Sequence, residues 1–346
     1  MRQAVEWDSP SPQEFRNEIV PLGRPALLRA LAAEWPLVAA AREGAERWMA
    51  MLAFRASDEP VAIIGTAPEN EGRFHYSDGG RSLNFERGSA SLPALLGMLQ
   101  QQAGSRRPHA IAAQSVIADT VLPGFSESHP MPLVPDSAVP RFWIGNAAKV
   151  ATHNDPMENL AVAVAGRRRF TLFPPDQVAN LYLGPLHFAP AGVPVSMVHV
   201  TAPDLERFPR FEAALEAAVV AELGPGDALF IPYAWYHHVE SLEPFNMLVN
   251  YWWNEAPDDL GPALGAMLHG LMSLRPLPRH QRAAWKAMFD HFVFQLEGDP
   301  AEHLDADVAG PLGPVTSVTS DTLAAMRQAL VEAITEGRNA TRAAAP

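Results

Sequence analysis

Between residues 141 and 254 the chain is cut into short apolar segments by closely spaced turn formers. The segments are 141–144, 148–155, 160–165, 168–173, 195–200, 228–231, 237–241 and 246–252. The breakers are Gly145-Asn146, Gly166, Pro174-Pro175, Gly224-Pro225-Gly226-Asp227 and Glu243-Pro244. Segments this short fall below the about ten to twelve residues that a buried helix needs, and their punctuation is that of strands. About eight such strands predict an all-β sandwich or barrel, the double-sheet jelly roll included. Residues 204–222 read as a helical insert.

Helices flank this region. Residues 11–50 carry an apolar stripe through Leu27, Leu28, Leu31, Trp35, Leu37 and Val38, broken at Pro36. A strand at 61–65, a Gly-rich hairpin over 72–86 and a short helix at 93–102 follow. After Pro257 the pattern is helical again: Leu260, Leu264, Met267, Leu268, Leu271 and Met272 repeat with helical period, as do Trp285, Met288, Phe289 and Phe292. A last helix is expected over 322–336. Residues 1–256 are therefore assigned to a β domain with an N-terminal elaboration, and 257–346 to a helical region. Its broad apolar stripes follow a domain that already has strands enough for its own core. They predict a homodimer paired through C-terminal helices.

Composition narrows the chemistry. There is no cysteine, so disulfides, thiolate metal sites and cysteine nucleophiles are excluded, and any metal must use His and carboxylate. The net charge of -13 argues against a nucleic-acid partner, which calls for a cationic surface. No run approaches the about 18 apolar residues of a membrane span, and the first residues lack the apolar core of a signal peptide. A soluble cytoplasmic protein without a membrane partner is expected. Lysine occurs only at Lys149 and Lys286 among 26 basic residues.

Within the strand region stand His153-Asn154-Asp155 and, on a later segment, His237. Two imidazoles and a carboxylate are the ligand set that holds Fe(II) on one face and leaves positions open. Alternate residues of a strand share a face, so His153 and Asp155 would point inward together, with Lys149 and Ala151 beside them. A His-x-Asp alone is more often a surface pair, and His237 or His238 alone is as readily a packing histidine.

The wider text is specific. It runs His153-Asn154-Asp155, Glu158-Asn159-Leu160, then Gly166-Arg167-Arg168-Arg169-Phe170-Thr171-Leu172-Phe173-Pro174-Pro175. Gly224-Pro225-Gly226-Asp227, Trp235-Tyr236-His237-His238-Val239-Glu240-Ser241 and Val249-Asn250-Tyr251-Trp252-Trp253 complete it. This stretch resembles the cupin-like JmjC family of Fe(II)- and 2-oxoglutarate-dependent oxygenases. It is most similar to the branch containing the asparaginyl hydroxylase of hypoxia-inducible factor. The resemblance implies a double-stranded β-helix, a hydroxylase using Fe(II) with 2-oxoglutarate as co-substrate, and dimerisation through C-terminal helices. It implies that His153, Asp155 and His237 are the metal ligands, with His237 preferred to His238. Asn159 and Asn250 match positions lining the co-substrate and metal pocket, and Trp252 matches an aromatic beside it.

The match departs from the branch at three co-substrate positions. Arg168 stands where the branch places a lysine on the distal carboxylate of 2-oxoglutarate. Ala112 replaces a tyrosine that helps it. Val150 replaces a hydroxyl residue three before the first ligand, leaving Thr152 as the nearest hydroxyl. An arginine fork suits a carboxylate well. Lys149, at inward parity, is expected to add a second cation. A metal-binding cupin of different chemistry, or a non-catalytic binding protein on the same barrel, are the alternatives.

Overall fold

The computed structural model describes the chain apart from residues 191, 256–259, 306–307, 314–318 and 344–346, and apart from side chains beyond 335. It divides into two compact units, Met1–Asn254 and Glu255–Pro346. The domain boundary expected at 256/257 lies outside the described residues.

Eight strands form the centre of the first unit. They are β1 (Arg141–Gly145), β2 (Lys149–Asn154), β3 (Glu158–Ala165), β4 (Arg168–Phe173), β5 (Val219–Leu223), β6 (Ala228–Ile231), β7 (Tyr236–Ser241) and β8 (Asn246–Trp253). One sheet carries them in the order β5-β4-β7-β2, the other in the order β6-β3-β8-β1, with antiparallel neighbours throughout. N-terminal strands extend both sheets. Arg2–Gln3 and Arg73–Phe74 sit at the ends of the first; Val5–Asp8, Ala26–Arg29, Ala110–Ile117, Pro60–Thr66 and Glu86–Ser91 extend the second to nine strands.

Strand alternation builds two layers of core. Ala161 and Ala163 of β3, Leu229 and Ile231 of β6, and Leu248 of β8 share one apolar cluster with Phe170 and Leu172 of β4, Leu223 of β5 and Val239 of β7. This cluster joins the two sheets. The intervening residues Leu160, Val162, Val164, Phe230, Val249 and Tyr251 face the other way, onto Leu37, Val38, Trp48, Leu52, Leu95 and Phe125. The nine-stranded sheet is thus covered on both faces at β3 and β8, and the near-continuous apolar text of those strands follows from that. The β3–β4 turn passes through Gly166 at φ +69, where a side chain would also collide with the carbonyl of Phe245.

Several expectations need correction. Residues 195–200 form no strand: only a single bridge, Leu183 to Ser196, is made there, while Val195 and Val198 pack into satellite clusters. The missing strand is β5. It directly follows the helix Phe211–Ala217, and its text continues a helical pattern until pairing with β4 overrides local preference. Leu27 and Leu28 lie in a strand rather than a helix, held between β6 and Val5–Asp8. Among the described residues, no helix is long and apolar enough to cross a membrane.

The second unit contains helices Ala263–Ser273, Arg279–Phe292 and Ser320–Ala343, the last longer than expected. Leu264, Met267, Leu268, Met272, Trp285, Met288 and Phe292 are all exposed.

Candidate metal centre

β2 and β7 pair so that His153 lies opposite His237. The register slips between Val150 and His153, where two residues of β2 oppose one of β7. Asp155 follows the end of β2. One ligand atom from each of His153, Asp155 and His237 falls within 4.8 Å of the other two. His237 Nε2 is 3.7 Å from Asp155 Oδ2.

The donor set fits a divalent metal for a reason visible in the backbone. His153 Nδ1 lies 2.9 Å from the carbonyl of Ala151, and His237 Nδ1 lies 3.1 Å from that of Trp235. A carbonyl can only accept, so each Nδ1 carries the proton and each Nε2 is left with its lone pair. Burial, and then the neighbouring His153, push the His237 imidazole down to about 4. The ring is neutral at physiological pH, as a ligand must be.

The triad opens into a cavity of about 190 Å³ between the sheets. Val150, Phe170, Ile231, Val239 and Leu248 give it apolar walls, and Trp143 meets Trp252 edge to face across it, ring centres 6.3 Å apart. Arg168 reaches the same cavity from β4. It is 6% exposed, donates one bond of 3.3 Å to the carbonyl of Trp143, and pairs with no carboxylate among the described residues. Burial alone pushes its guanidinium down to about 10. Asn159 and Asn250 also line the cavity, joined by a 2.7 Å bond. Trp253, one residue on from Trp252, turns outward and stacks on Phe230.

Two proposed contacts are not brought to this cavity. Lys149 was expected at inward parity, but the β2 bulge reverses the parity on its N-terminal side. Val150 takes the inward place, and Lys149 lines a separate small cavity with Arg73, His75, His199 and His238. Thr152 is fully buried, its hydroxyl has no partner among the described residues, and it is not part of the cavity wall. His238 faces away from His237 and belongs to that second cavity.

Gln114, Ser115 and Trp143 line the cavity without having been singled out. Ala112, by contrast, packs in an apolar cluster with Ile64 and Phe74. The strand Ala110–Ile117 bulges against β1, so that Gln114 and Ser115 together oppose Trp143. Ser115 adopts φ +53, unusual for a residue with a side chain. A bulge of this kind has no sequence signal beyond a polar pair in an otherwise apolar strand.

Two sheets with eight antiparallel central strands, flanking helices and a His-Asp-His facial triad in the space between them define a metal-binding protein of the cupin/JmjC class. The chain belongs to the cupin-like domain family, whose model matches residues 12–259. It is similar to human HSPB1-associated protein 1, 36% identical over 146 residues, which are 41% of this chain and 29% of that protein. It is also similar to the Arabidopsis thaliana lysine-specific demethylase JMJ31, 38% identical over 113 residues, 32% of this chain and 20% of the relative. Mouse tRNA wybutosine-synthesizing protein 5 is 36% identical over 114 residues, 31% of each chain. The chain thus spans less than a third of the curated relatives it matches.

Proposed function

We propose that the protein is an Fe(II)- and 2-oxoglutarate-dependent oxygenase that hydroxylates its substrate. The observation that carries this reading is Arg168, a buried cation with no carboxylate partner among the described residues, in the cavity that holds the triad. An uncompensated buried charge costs several kcal/mol, which an anionic ligand would relieve. The guanidinium suits the far carboxylate of a dicarboxylic 2-oxo acid whose other end meets the metal. His153, Asp155 and His237 would hold Fe(II) on one face. Bound together, the metal and co-substrate would supply O₂-dependent C–H hydroxylation coupled to oxidative decarboxylation.

The chain's own residues do the rest. Arg168 binds and orients. The two carbonyls behind His153 and His237 fix their tautomers. Phe170, Ile231, Val239, Leu248 and the two tryptophans exclude bulk water from the reacting region. The strand order of the two sheets supports a double-stranded β-helix. The likeness to the asparaginyl hydroxylase branch favours a protein side chain as substrate, an inference by analogy. JMJ31 is named a lysine-specific demethylase and the mouse relative a tRNA wybutosine-synthesizing protein, so the names of these relatives point to no single substrate.

The test is an anaerobic Fe(II) titration with and without 2-oxoglutarate, followed by a succinate assay in air. The reading expects a visible charge-transfer band on adding 2-oxoglutarate, and succinate release. Metal binding with neither band nor succinate would overturn it in favour of a cupin of other chemistry.

We also propose that the chain dimerises through its C-terminal helices. Leu264, Met267, Leu268 and Met272 on one helix and Trp285, Met288 and Phe292 on the next supply the apolar surface. Two-fold pairing would cover it with one self-complementary patch.

A further inference from the structure

Asp155 is held by two buried amides in series. Asn159 Nδ2 donates to Asp155 Oδ2 at 3.4 Å, and Asn250 Nδ2 donates to Asn159 Oδ1 at 2.7 Å. Asn159 is 2% exposed and Asn250 5%. The two come from neighbouring strands, β3 and β8, where Ala161 is the residue opposite Asn250 and Trp252 the residue opposite Asn159. Both side chains therefore stand on the inward face, one step apart along the ladder.

The chemistry of the carboxylate fixes the direction of the whole chain. An ionised carboxylate accepts hydrogen bonds and cannot donate. Asn159 must therefore turn its NH₂ toward Asp155, which leaves its carbonyl toward Asn250. Asn250 must in turn present its own NH₂, and its Oδ1 is left over, buried with no partner among the described residues. Each amide has one workable orientation, set by the residue before it. The anchored oxygen, Oδ2, is the one that lies 3.7 Å from His237 Nε2. Its edge of the carboxylate is the edge that meets His237.

We infer that Asn159 and Asn250 are positioning residues for the metal ligand Asp155, acting as one relay rather than as two separate pocket contacts. This rests on the metal site alone and goes beyond the co-substrate reading. Partners behind a ligating carboxylate commonly change metal affinity by about 10- to 100-fold when removed. A relay adds a stricter requirement, because Asn250 reaches Asp155 only through Asn159. Once Asn159 is gone, Asn250 has nothing to transmit, and its removal costs no further affinity.

The experiment is a double-mutant cycle on Co(II) affinity in the full chain, with the Co(II) visible spectrum as a second readout. Asn159→Ala should weaken Co(II) binding by about 10- to 100-fold and shift the ligand-field bands. Asn250→Ala should weaken it less, and the double variant should match Asn159→Ala. Asn250→Asp guards against loss of fold, since it keeps the size of the side chain. Its ionised form cannot donate to Asn159, so it should weaken Co(II) binding, although a negative charge near a cation site would otherwise strengthen it. Unchanged affinity and spectrum in Asn159→Ala, additive losses in the cycle, or tighter binding by Asn250→Asp would each overturn the relay. Failure of the unmutated chain to bind Co(II) would instead overturn the metal site itself, and the relay with it.

Discussion

His153 and His237 face each other across the β2–β7 ladder with ring centres 4.4 Å apart, each with its Nδ1 on the carbonyl two residues before it. The same i−2 pattern on both strands gives the two imidazoles one tautomer and leaves both Nε2 lone pairs free, that of His237 3.7 Å from Asp155 Oδ2. The pair is therefore organised for a cation before any cation binds, and the consequences can be measured.

Metal affinity should depend on His153, Asp155 and His237 and be indifferent to His238. His237→Ala and Asp155→Ala each delete one of three protein ligands and should reduce divalent metal content to background. His238→Ala removes a side chain from the second cavity and should leave metal content near that of the unmodified protein. Metal analysis after equilibration with Mn(II) decides between them. Retention by His237→Ala together with loss by His238→Ala would reverse the assignment.

Arg168→Ala should weaken 2-oxoglutarate binding while sparing the metal. A hydrogen bond to a charged group contributes about 1.5–3 kcal/mol, which is about 10- to 100-fold in affinity. Lys149→Ala should change little, because the β2 bulge sends that side chain to the other cavity. Titration of each Fe(II)-loaded variant by the charge-transfer band measures both. A larger effect from Lys149→Ala than from Arg168→Ala would contradict this placement.

The metal-free protein should lose stability on mild acidification. Burial holds His129, His199, His237 and His238 each at about 4, against the ordinary 6.5 of the unfolded chain. Above about pH 6.5 neither state takes up these protons. Between 6.5 and 4 the unfolded chain binds protons that the folded one refuses, so stability falls as pH drops through that window. Urea midpoints at pH 7.5, 6 and 5 should decline in that order. A flat midpoint across the three would mean that these rings titrate normally in the fold.

The oligomer should be sensitive to charge on the helix Ala263–Ser273. Leu264 and Leu268 are 51% and 46% exposed and stand one turn apart. Light scattering at micromolar concentration should give a dimer for the intact chain and a monomer for Leu264→Arg/Leu268→Arg. A monomeric intact chain rejects the proposal, and a dimer that survives both charges moves the interface elsewhere.

What the sequence determined by itself was whatever rests on local pattern. Seven of the eight central strands are legible because breakers such as Gly166 and Gly224-Pro225-Gly226-Asp227 delimit apolar runs of strand length. The triad is legible because His153-x-Asp155 and His237 sit on such runs within a long, specific text. β5 was not legible, since its residues continue a helical pattern and only pairing with β4 makes them a strand. The side to which each residue turns was decided by tertiary structure wherever a ladder slips. Strict alternation puts Lys149 inward with His153; the bulge between Val150 and His153 puts Val150 there instead. The second bulge brings Gln114 and Ser115 to the cavity and leaves Ala112 in an apolar cluster. A bulge forms where two strands of unequal local length must stay in register, and that inequality belongs to the pair. Neither strand carries it in its own residues, so the sequence could name the metal ligands but not the full wall of the cavity around them.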